Sequence, residues 1–192
     1  MTYRQELGRK AIHLFSGAIP VAYYFLDKSL ILSLLIPATI LTITIDYGRR
    51  HFRWMEILFE SVFGYVLRDD EETHKTLTGG SYVMLAEVVM IVLFPKIYAI
   101  AGLLTLAVGD SFAALIGIAF GKHQLYRKKT WEGTFAFWLF STVAIVWIPG
   151  IPLWAAALGS AAAALVELFL NAIDDNIFIP LASGIVLVLL PL

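Results

Sequence analysis

The chain has 192 residues, of which 59% are hydrophobic and 15% are charged, and its mean hydropathy is +0.80. Soluble domains carry about 25% charged residues, so this chain has too few charges for a water-soluble surface, and its apolar content excludes disorder. The lack of cysteine excludes disulfides, thiolate zinc sites and cysteine nucleophiles, and a net charge of −1 gives no electrostatic basis for binding nucleic acid.

The apolar stretches predict an all-α fold, a polytopic membrane bundle of about seven transmembrane helices in a single domain, 1–192. A helix needs about 17–25 residues to cross a bilayer, and none of the stretches alternates apolar and polar residues as barrel strands do. The predicted spans are 11–26, 29–45, 78–94, 97–120, 134–148, 153–170 and 177–192. Six spans are the alternative, if one weak segment lies in the interface.

The distribution of basic residues predicts the orientation. With the N-terminus inside, twelve of the 14 Lys and Arg residues are cytoplasmic, and only Lys28 and Lys96 are outside. The cytoplasmic loops are then 46–77, 121–133 and 171–176, and residues 52–67 form an amphipathic helix on the membrane surface. The first span lacks a small-residue cleavage site, which favours a retained helix over a signal peptide. We therefore expect a multi-pass protein of the cell membrane with its active site on the cytoplasmic side.

Three carboxylates lie inside predicted spans, where charge is expensive and indicates function: Glu87, Asp110 and Glu167. His13 lies one turn into the first span, and Asp46 ends the second. Hydrogen bonding between helices is the structural alternative for each of them.

Asp110 begins a stripe of small residues at helical spacing, continuing through Ala113 or Ala114, Gly117 and Gly121 towards the cytoplasm. A helix face that allows close approach and carries a carboxylate suits a metal-bound phosphate chain. Close helix packing explains the small residues equally well, although it does not require the aspartate.

The loop that follows is basic and leads into a helix. Lys128 and Lys129 precede Thr130, a suitable N-cap, and Glu132 and Gly133 lie in the first turn. Basic residues before a helix N-terminus are typical of a phosphate site. The alternative is that they only anchor the span at the cytoplasmic side.

A last polar cluster contains Glu167, Asn171, Asp174, Asp175 and Asn176, whose oxygen atoms suit magnesium. The alternative is a solvated turn that caps the next helix. Carboxylates, a divalent metal and basic residues near headgroup depth are the components of phosphoryl or nucleotidyl transfer to a lipid.

Four stretches in order resemble a known family: 9–13, 109–117, 128–134, and 166–167 followed by Asp175, Asn176 and Pro180. They are similar to the polytopic dolichol kinases, phytol kinases and CTP-dependent diacylglycerol kinases, in their compact prokaryotic form. The resemblance implies a kinase that uses CTP and Mg²⁺ to phosphorylate an isoprenoid alcohol such as phytol, geranylgeraniol or a polyprenol, or diacylglycerol. Trp131 and Ile118 depart from the family pattern.

Combined with the chemistry of the residues, the resemblance implies site roles. The expected catalytic groups are Asp110, His13 and Glu132. The expected nucleotide and phosphate ligands are Lys128, Lys129, Thr130, Gly133, Lys122, Gly117, Gly121, Arg9 and Lys10. The expected metal ligands are Asp110, Glu167, Asp175 and Asn176. The expected partners are CTP and a membrane lipid, without nucleic acid, and the oligomeric state is left open.

Two other functions fit part of the pattern. A cytidylyltransferase similar to CDP-diacylglycerol synthase also uses CTP, magnesium and a membrane lipid, but there a lipid phosphate attacks the α-phosphorus of CTP, and stretch 128–134 favours the kinase. A transporter would use Glu87, Asp110 and Glu167 as an ion path, but the sequence shows no inverted repeat.

Overall fold

A computed structural model describes residues 3–66, 77–170 and 175–191, and this part of the chain is almost entirely helical. The all-α prediction is confirmed in that sense. Parts of two predicted cytoplasmic loops, 67–76 and 171–174, lie outside the described residues, and with them the candidate ligands Asn171 and Asp174.

The described helices follow one another with short connections. They are α1 (Tyr3–Ser16), α2 (Ala18–Phe25), α3 (Lys28–Gly48), α4 (Arg53–Phe63), α5 (Gly79–Leu93), α6 (Lys96–Leu104), α7 (Ser111–Phe120), α8 (Trp131–Ile145), α9 (Leu153–Phe169) and α10 (Asp175–Leu189). A 3₁₀ turn, Gly64–Val66, follows α4, and a π-helical segment, Thr105–Asp110, joins α6 to α7. Strands β1 (Gln124–Tyr126) and β2 (Lys129–Thr130) form an antiparallel hairpin, which the all-α prediction lacked.

Two helical stretches are long and apolar enough to cross a bilayer: α3, and the continuous 25-residue stretch from Lys96 to Phe120. The other apolar helices, α5, α9 and α10, have 15–17 residues and span about 22–26 Å, less than the roughly 30 Å of hydrocarbon. The prediction of seven spans therefore stays a prediction.

The predicted first span is divided between two helices. Helix α1 begins at Tyr3, well before the predicted start at residue 11, and ends at Ser16. Pro20 has no N–H to donate and its ring crowds the preceding turn, so the helix breaks near Gly17 and resumes as α2.

The outer surface is strongly apolar. Large side chains such as Phe15 and Trp147 are 80% and 81% exposed, and many others on several helices are also exposed. So many large, exposed apolar side chains are unusual for a soluble monomer. Together with the two long apolar helices, this surface indicates a membrane protein.

Helix packing determines where the polar ends meet. Helix α10 packs against α9, α6 and α5, while α8 packs against α7, α9 and the π-helical segment, and α1 lies against α7. Buried side chains, such as those of Met90, Phe137 and Leu187, fill the core between these helices. This arrangement brings α1, α7, α8, α9 and α10 around one polar cavity.

Helix α4 lies outside this packing, because none of its residues is buried and its apolar side chains, including Trp54, Leu58 and Val62, are exposed. It occupies most of the predicted amphipathic segment 52–67. Its contact with a membrane surface stays a prediction.

Asp46 has a structural role in this arrangement. Its buried carboxylate accepts hydrogen bonds from Arg49 Nε at 2.8 Å, from the Thr78 backbone N–H at 2.6 Å and from Ser81 Oγ at 2.7 Å. These bonds join the end of α3 to the start of α5, in agreement with the structural alternative for this residue.

Candidate functional site

The five helices and the hairpin enclose a cavity of about 250 Å³ with balanced charge. Its basic side chains are Arg9, Lys10, Lys128 and Lys129. Its acidic side chains are Glu6, Asp110, Glu167 and Asp175. Small and apolar residues of α7, including Ala114, Gly117 and Ile118, complete the wall, so the cavity joins a polar region to an apolar one.

Asp110 lies at the end of the π-helical segment, a distortion often found at functional sites. The Lys10 ammonium donates a hydrogen bond to Asp110 Oδ2, and His13 Nε2 lies 3.3 Å from the same oxygen. The same His13 nitrogen lies 3.3 Å from the carbonyl oxygen of Leu106. All three ionisable side chains are buried. The packing of α1 against α7 thus makes a Lys-Asp-His cluster in one wall.

A second ion pair forms on another side of the cavity. The Lys129 ammonium donates to Glu167 Oε1, and Glu167 is buried. Burial acts to lower the pKa of Lys129, but the charge and hydrogen bond of Glu167 outweigh it and raise that pKa, so Lys129 is cationic. Glu167 Oε2 and Thr134 Oγ1 are buried and have no hydrogen-bond partner within the part of the chain that the structure describes.

The hairpin carries the two lysines to the cavity. Its turn places Arg127 at φ 51°, and the Gln124 side-chain amide donates to the Arg127 carbonyl oxygen and closes the loop. The Tyr126 ring meets the Phe169 ring edge-on, with centroids 5.3 Å apart, which fixes the hairpin on the end of α9. Strands of three and two residues are too short to produce a pattern that sequence reading detects.

The first turn of α8 satisfies its own backbone donors. Thr130 Oγ1 accepts from the Gly133 N–H at 3.2 Å, and the Trp131 N–H donates to the His123 carbonyl oxygen at 3.0 Å. The Glu132 carboxylate contacts His123 Nδ1 at 2.7 Å. The backbone N–H of Glu132 and the bond to His123 lower the pKa of this carboxyl to about 2. Phosphate contacts at this place would therefore fall to the lysine side chains rather than to the helix N-terminus.

The glycines of the predicted stripe allow close packing. A Cβ on Gly133 would lie 2.9 Å from the Ala113 carbonyl oxygen and 3.3 Å from the Gly117 Cα, and a Cβ on Gly121 would lie 2.8 Å from Thr130 Cγ2. Gly117 and Gly133 also line the cavity. The close crossing of α7 and α8 thus brings the wall of α7 next to the hairpin lysines.

The structure brings most of the predicted site residues together. Those that line the cavity are Arg9, Lys10, Asp110, Gly117, Lys128, Lys129, Thr130, Gly133, Glu167 and Asp175. His13 contacts Asp110 but does not itself line the cavity. Outside the lining are Gly121, Lys122, Glu132 and Asn176, with Glu132 held at the hairpin. The roles of all these residues stay predictions.

The sequence analysis did not predict two of the polar residues that line the cavity, Glu6 and Thr134. Glu6 forms an ion pair with Arg9, in which Arg9 Nη2 lies 2.5 Å from Glu6 Oε1. The two residues are three positions apart on one helix, a spacing that indicates such a pair. Thr134 lies in the family-like stretch, but nothing in the sequence shows that its hydroxyl has no hydrogen-bond partner in the described part of the chain. Glu87, by contrast, is buried on α5 away from this cavity.

The donor set suits a magnesium ion brought by a nucleotide. Within residues 3–66, 77–170 and 175–191, no group of three or more His, Cys, Asp or Glu side chains is arranged to hold a metal ion. Magnesium is usually held by one or two carboxylates together with substrate phosphates. The unpartnered Glu167 Oε2 and the Asp175 carboxylate are oxygen donors of that kind at the cavity.

Comparison with known proteins shows distant relatives. The chain is 28% identical, over 92% of its length and 90% of the relative's, to an uncharacterized protein of Rickettsia prowazekii (strain Madrid E). It is also 28% identical, over 97% of its length and 68% of the relative's, to a protein of Triticum aestivum described as "Probable phytol kinase, chloroplastic". No family model and no solved structure matches. The chain is thus distantly related to a plant protein described as a kinase.

Proposed function

We propose that the protein is a CTP-dependent lipid kinase, which transfers the γ-phosphoryl group of CTP to the hydroxyl of an isoprenoid alcohol or of diacylglycerol. The observation that carries this proposal is the cavity itself, where four basic and four acidic side chains meet an apolar wall. The similarity to the wheat protein described as a probable phytol kinase supports both the reaction class and the lipid acceptor.

The basic side chains would hold the phosphates. Lys128 and Lys129 approach from the hairpin and Arg9 from α1, so a triphosphate would be contacted from two directions. Asp110, with Glu167 or Asp175, would hold Mg²⁺ together with the phosphates. When bound, the ion would neutralise the charge that develops on the transferred group and on its leaving oxygen. Transfer then depends mainly on positioning and charge neutralisation.

The acceptor would enter from the apolar side. Ile118 lines the cavity and is half-exposed, and it lies beyond Ala114 and Gly117 on α7. A lipid hydroxyl placed in the cavity would leave its chain along this apolar wall. The hydroxyl oxygen forms a bond to the γ-phosphorus, the bond to the bridging oxygen breaks, and CDP leaves with that electron pair. The proton of the hydroxyl passes to Asp110 or to His13.

The distribution of Lys and Arg supports a multi-pass protein of the cell membrane with a cytoplasmic N-terminus and this cavity on the cytoplasmic side. A soluble nucleotide and a lipid of the inner leaflet would both reach such a site. Glu87 does not line the cavity, which separates it from the other carboxylates of the transport alternative.

A double-label assay tests the reaction. Purified protein in lipid-containing micelles receives Mg²⁺, CTP labelled at the γ or at the α phosphate, and one acceptor: phytol, geranylgeraniol, a polyprenol, diacylglycerol or phosphatidic acid. Transfer of the γ label alone to one acceptor is the expected result. Transfer of the α label to phosphatidic acid, with pyrophosphate as the leaving group, would instead indicate a cytidylyltransferase. Absence of transfer from folded protein with every acceptor, and with ATP in place of CTP, would overturn the kinase proposal.

A further inference from the structure

Two of the three carboxylates proposed to hold the metal, Asp110 and Glu167, form ion pairs with lysines. Lys10 pairs with Asp110 and Lys129 pairs with Glu167, and each pair joins elements distant in sequence. The side chains of Lys10 and Asp110 are 2% and 9% exposed, and that of Glu167 is 3% exposed. The residues expected to bind phosphate therefore neutralise those expected to bind metal.

This pairing opposes the binding of a metal ion alone. A dication at Asp110 Oδ2 or Glu167 Oε1 would have to displace an ammonium group, and at Glu167 Oε2 it would lie next to the Lys129 ammonium, which repels it. The displaced lysine would then lose its ion-pair partner, and a charge withdrawn from water without a close partner is unfavourable. Because the formal charges of the lining residues balance, a dication alone would also leave the cavity with net positive charge.

A nucleotide removes both obstacles. Its phosphates offer new acceptors to the displaced ammonium groups and their charge offsets that of the metal. Magnesium also completes its coordination with phosphate oxygens when a site supplies one or two carboxylates. The described residues hold no ready-made group of three ligands, which fits a metal that arrives with phosphates.

We propose that Lys10 and Lys129 are exchangeable counterions, which neutralise Asp110 and Glu167 in the empty cavity and move to phosphate oxygens when a metal-bound nucleotide enters. This inference rests on the proposed function and adds to it that divalent metal binds with nucleotide and not before it. The coupling is reciprocal, so the metal strengthens nucleotide binding by the same factor.

Manganese binding gives a readout that is independent of catalysis. The full-length protein in detergent micelles is titrated with Mn²⁺, and the paramagnetic resonance signal of free Mn²⁺, compared with a protein-free titration at the same CTP concentration, gives the fraction bound to the protein. No acceptor lipid is added, so no turnover occurs. For the wild type we expect CTP to tighten Mn²⁺ binding by about tenfold or more, in the usual range of coupling between two sites.

Three lysine variants distinguish exchange from simple electrostatics. In Lys129→Gln we expect Mn²⁺ without nucleotide to bind about tenfold more tightly than to the wild type, because Glu167 is then uncovered. Lys10→Gln tests the other pair and replaces Lys129→Gln if that variant does not fold.

Lys128→Gln is the matched control. Lys128 lines the same cavity but has no ion pair within the described part of the chain. Its loss is therefore expected to weaken CTP binding, while Mn²⁺ in the absence of nucleotide still binds as weakly as to the wild type.

Two outcomes overturn the exchange. One is Mn²⁺ binding to the wild type that is equally tight with and without CTP. The other is a gain in Lys128→Gln that equals the gain in the folded Lys129→Gln and Lys10→Gln variants. Neither outcome bears on the transfer of the γ label to lipid, so the proposed function stands or fails by the double-label assay.

Discussion

The pair of Lys129 and Glu167 yields the most direct stability prediction. In Lys129→Met, the buried Glu167 carboxylate loses its partner at Oε1, while Oε2 has no hydrogen-bond partner among the described residues. Breaking a buried ion pair by removing one partner costs about 3–5 kcal/mol. The Lys129 side chain is 33% exposed, so water replaces part of the lost contact. We therefore expect a loss of about 2–3 kcal/mol in the free energy of unfolding.

A double-mutant cycle measures this loss. Unfolding in mixed micelles with increasing dodecyl sulfate, followed by circular dichroism, gives the free energy for Lys129→Met, Glu167→Gln and the double variant. The neutral amide at Glu167 removes the unpaired charge, so the double variant is expected to recover most of the loss. Lys128→Met is the control for removing a lysine from the same cavity. If Lys129→Met costs no more than Lys128→Met, the buried pair is not the source of the stability.

Further predictions concern the close helix crossing and the helix start. Gly133→Ala forces its Cβ to within 2.9 Å of the Ala113 carbonyl oxygen and is expected to cost about 1–3 kcal/mol in the same unfolding assay, whereas Gly80→Ala, with its nearest atom at 3.9 Å, costs little. Thr130→Ala removes the N-cap of α8 and should cost about 1 kcal/mol, while Thr130→Ser retains most of that stability. The Glu132 carboxyl has a pKa of about 2 against an ordinary value of 4.5, so its stabilising contribution is present above pH 4.5 and is lost as the pH falls towards 2. In Glu132→Gln, unfolding midpoints measured over that pH range should show a weaker acid dependence; an unchanged profile would contradict this.

Much of the candidate site could be predicted from the sequence, because charged residues are rare within long apolar stretches and are easily recognised there. Asp110 and Glu167 are carboxylates inside apolar stretches, and Lys128 and Lys129 lie in a basic run before a capped helix. Each of these signals is local. The structure brings all four residues to one cavity.

The pairing of these groups did not follow from the sequence. Lys10 and Asp110 are separated by 100 positions, and their contact depends on how α1 packs against α7. The break near Gly17 was also missed, because the hydropathy of 11–26 is continuous across it. The hairpin could not be predicted for a different reason, because its strands of three and two residues are too short to show an alternation of apolar and polar residues. Local patterns identify the candidate side chains, whereas the helix packing decides which of them meet.

The most direct test of the central claim compares lipid phosphorylation by the wild type and by Asp110→Asn, with CTP binding and folding measured on the same samples. Asp110 lies at the cavity between Lys10 and His13, and the amide retains its size while removing its charge. We expect phosphorylated lipid from the wild type and a loss of at least about 100-fold in turnover in Asp110→Asn, within the range typical for removing a charged group from a reaction centre. Near-normal turnover in a folded Asp110→Asn protein would contradict the assignment of this cavity as the site of phosphoryl transfer.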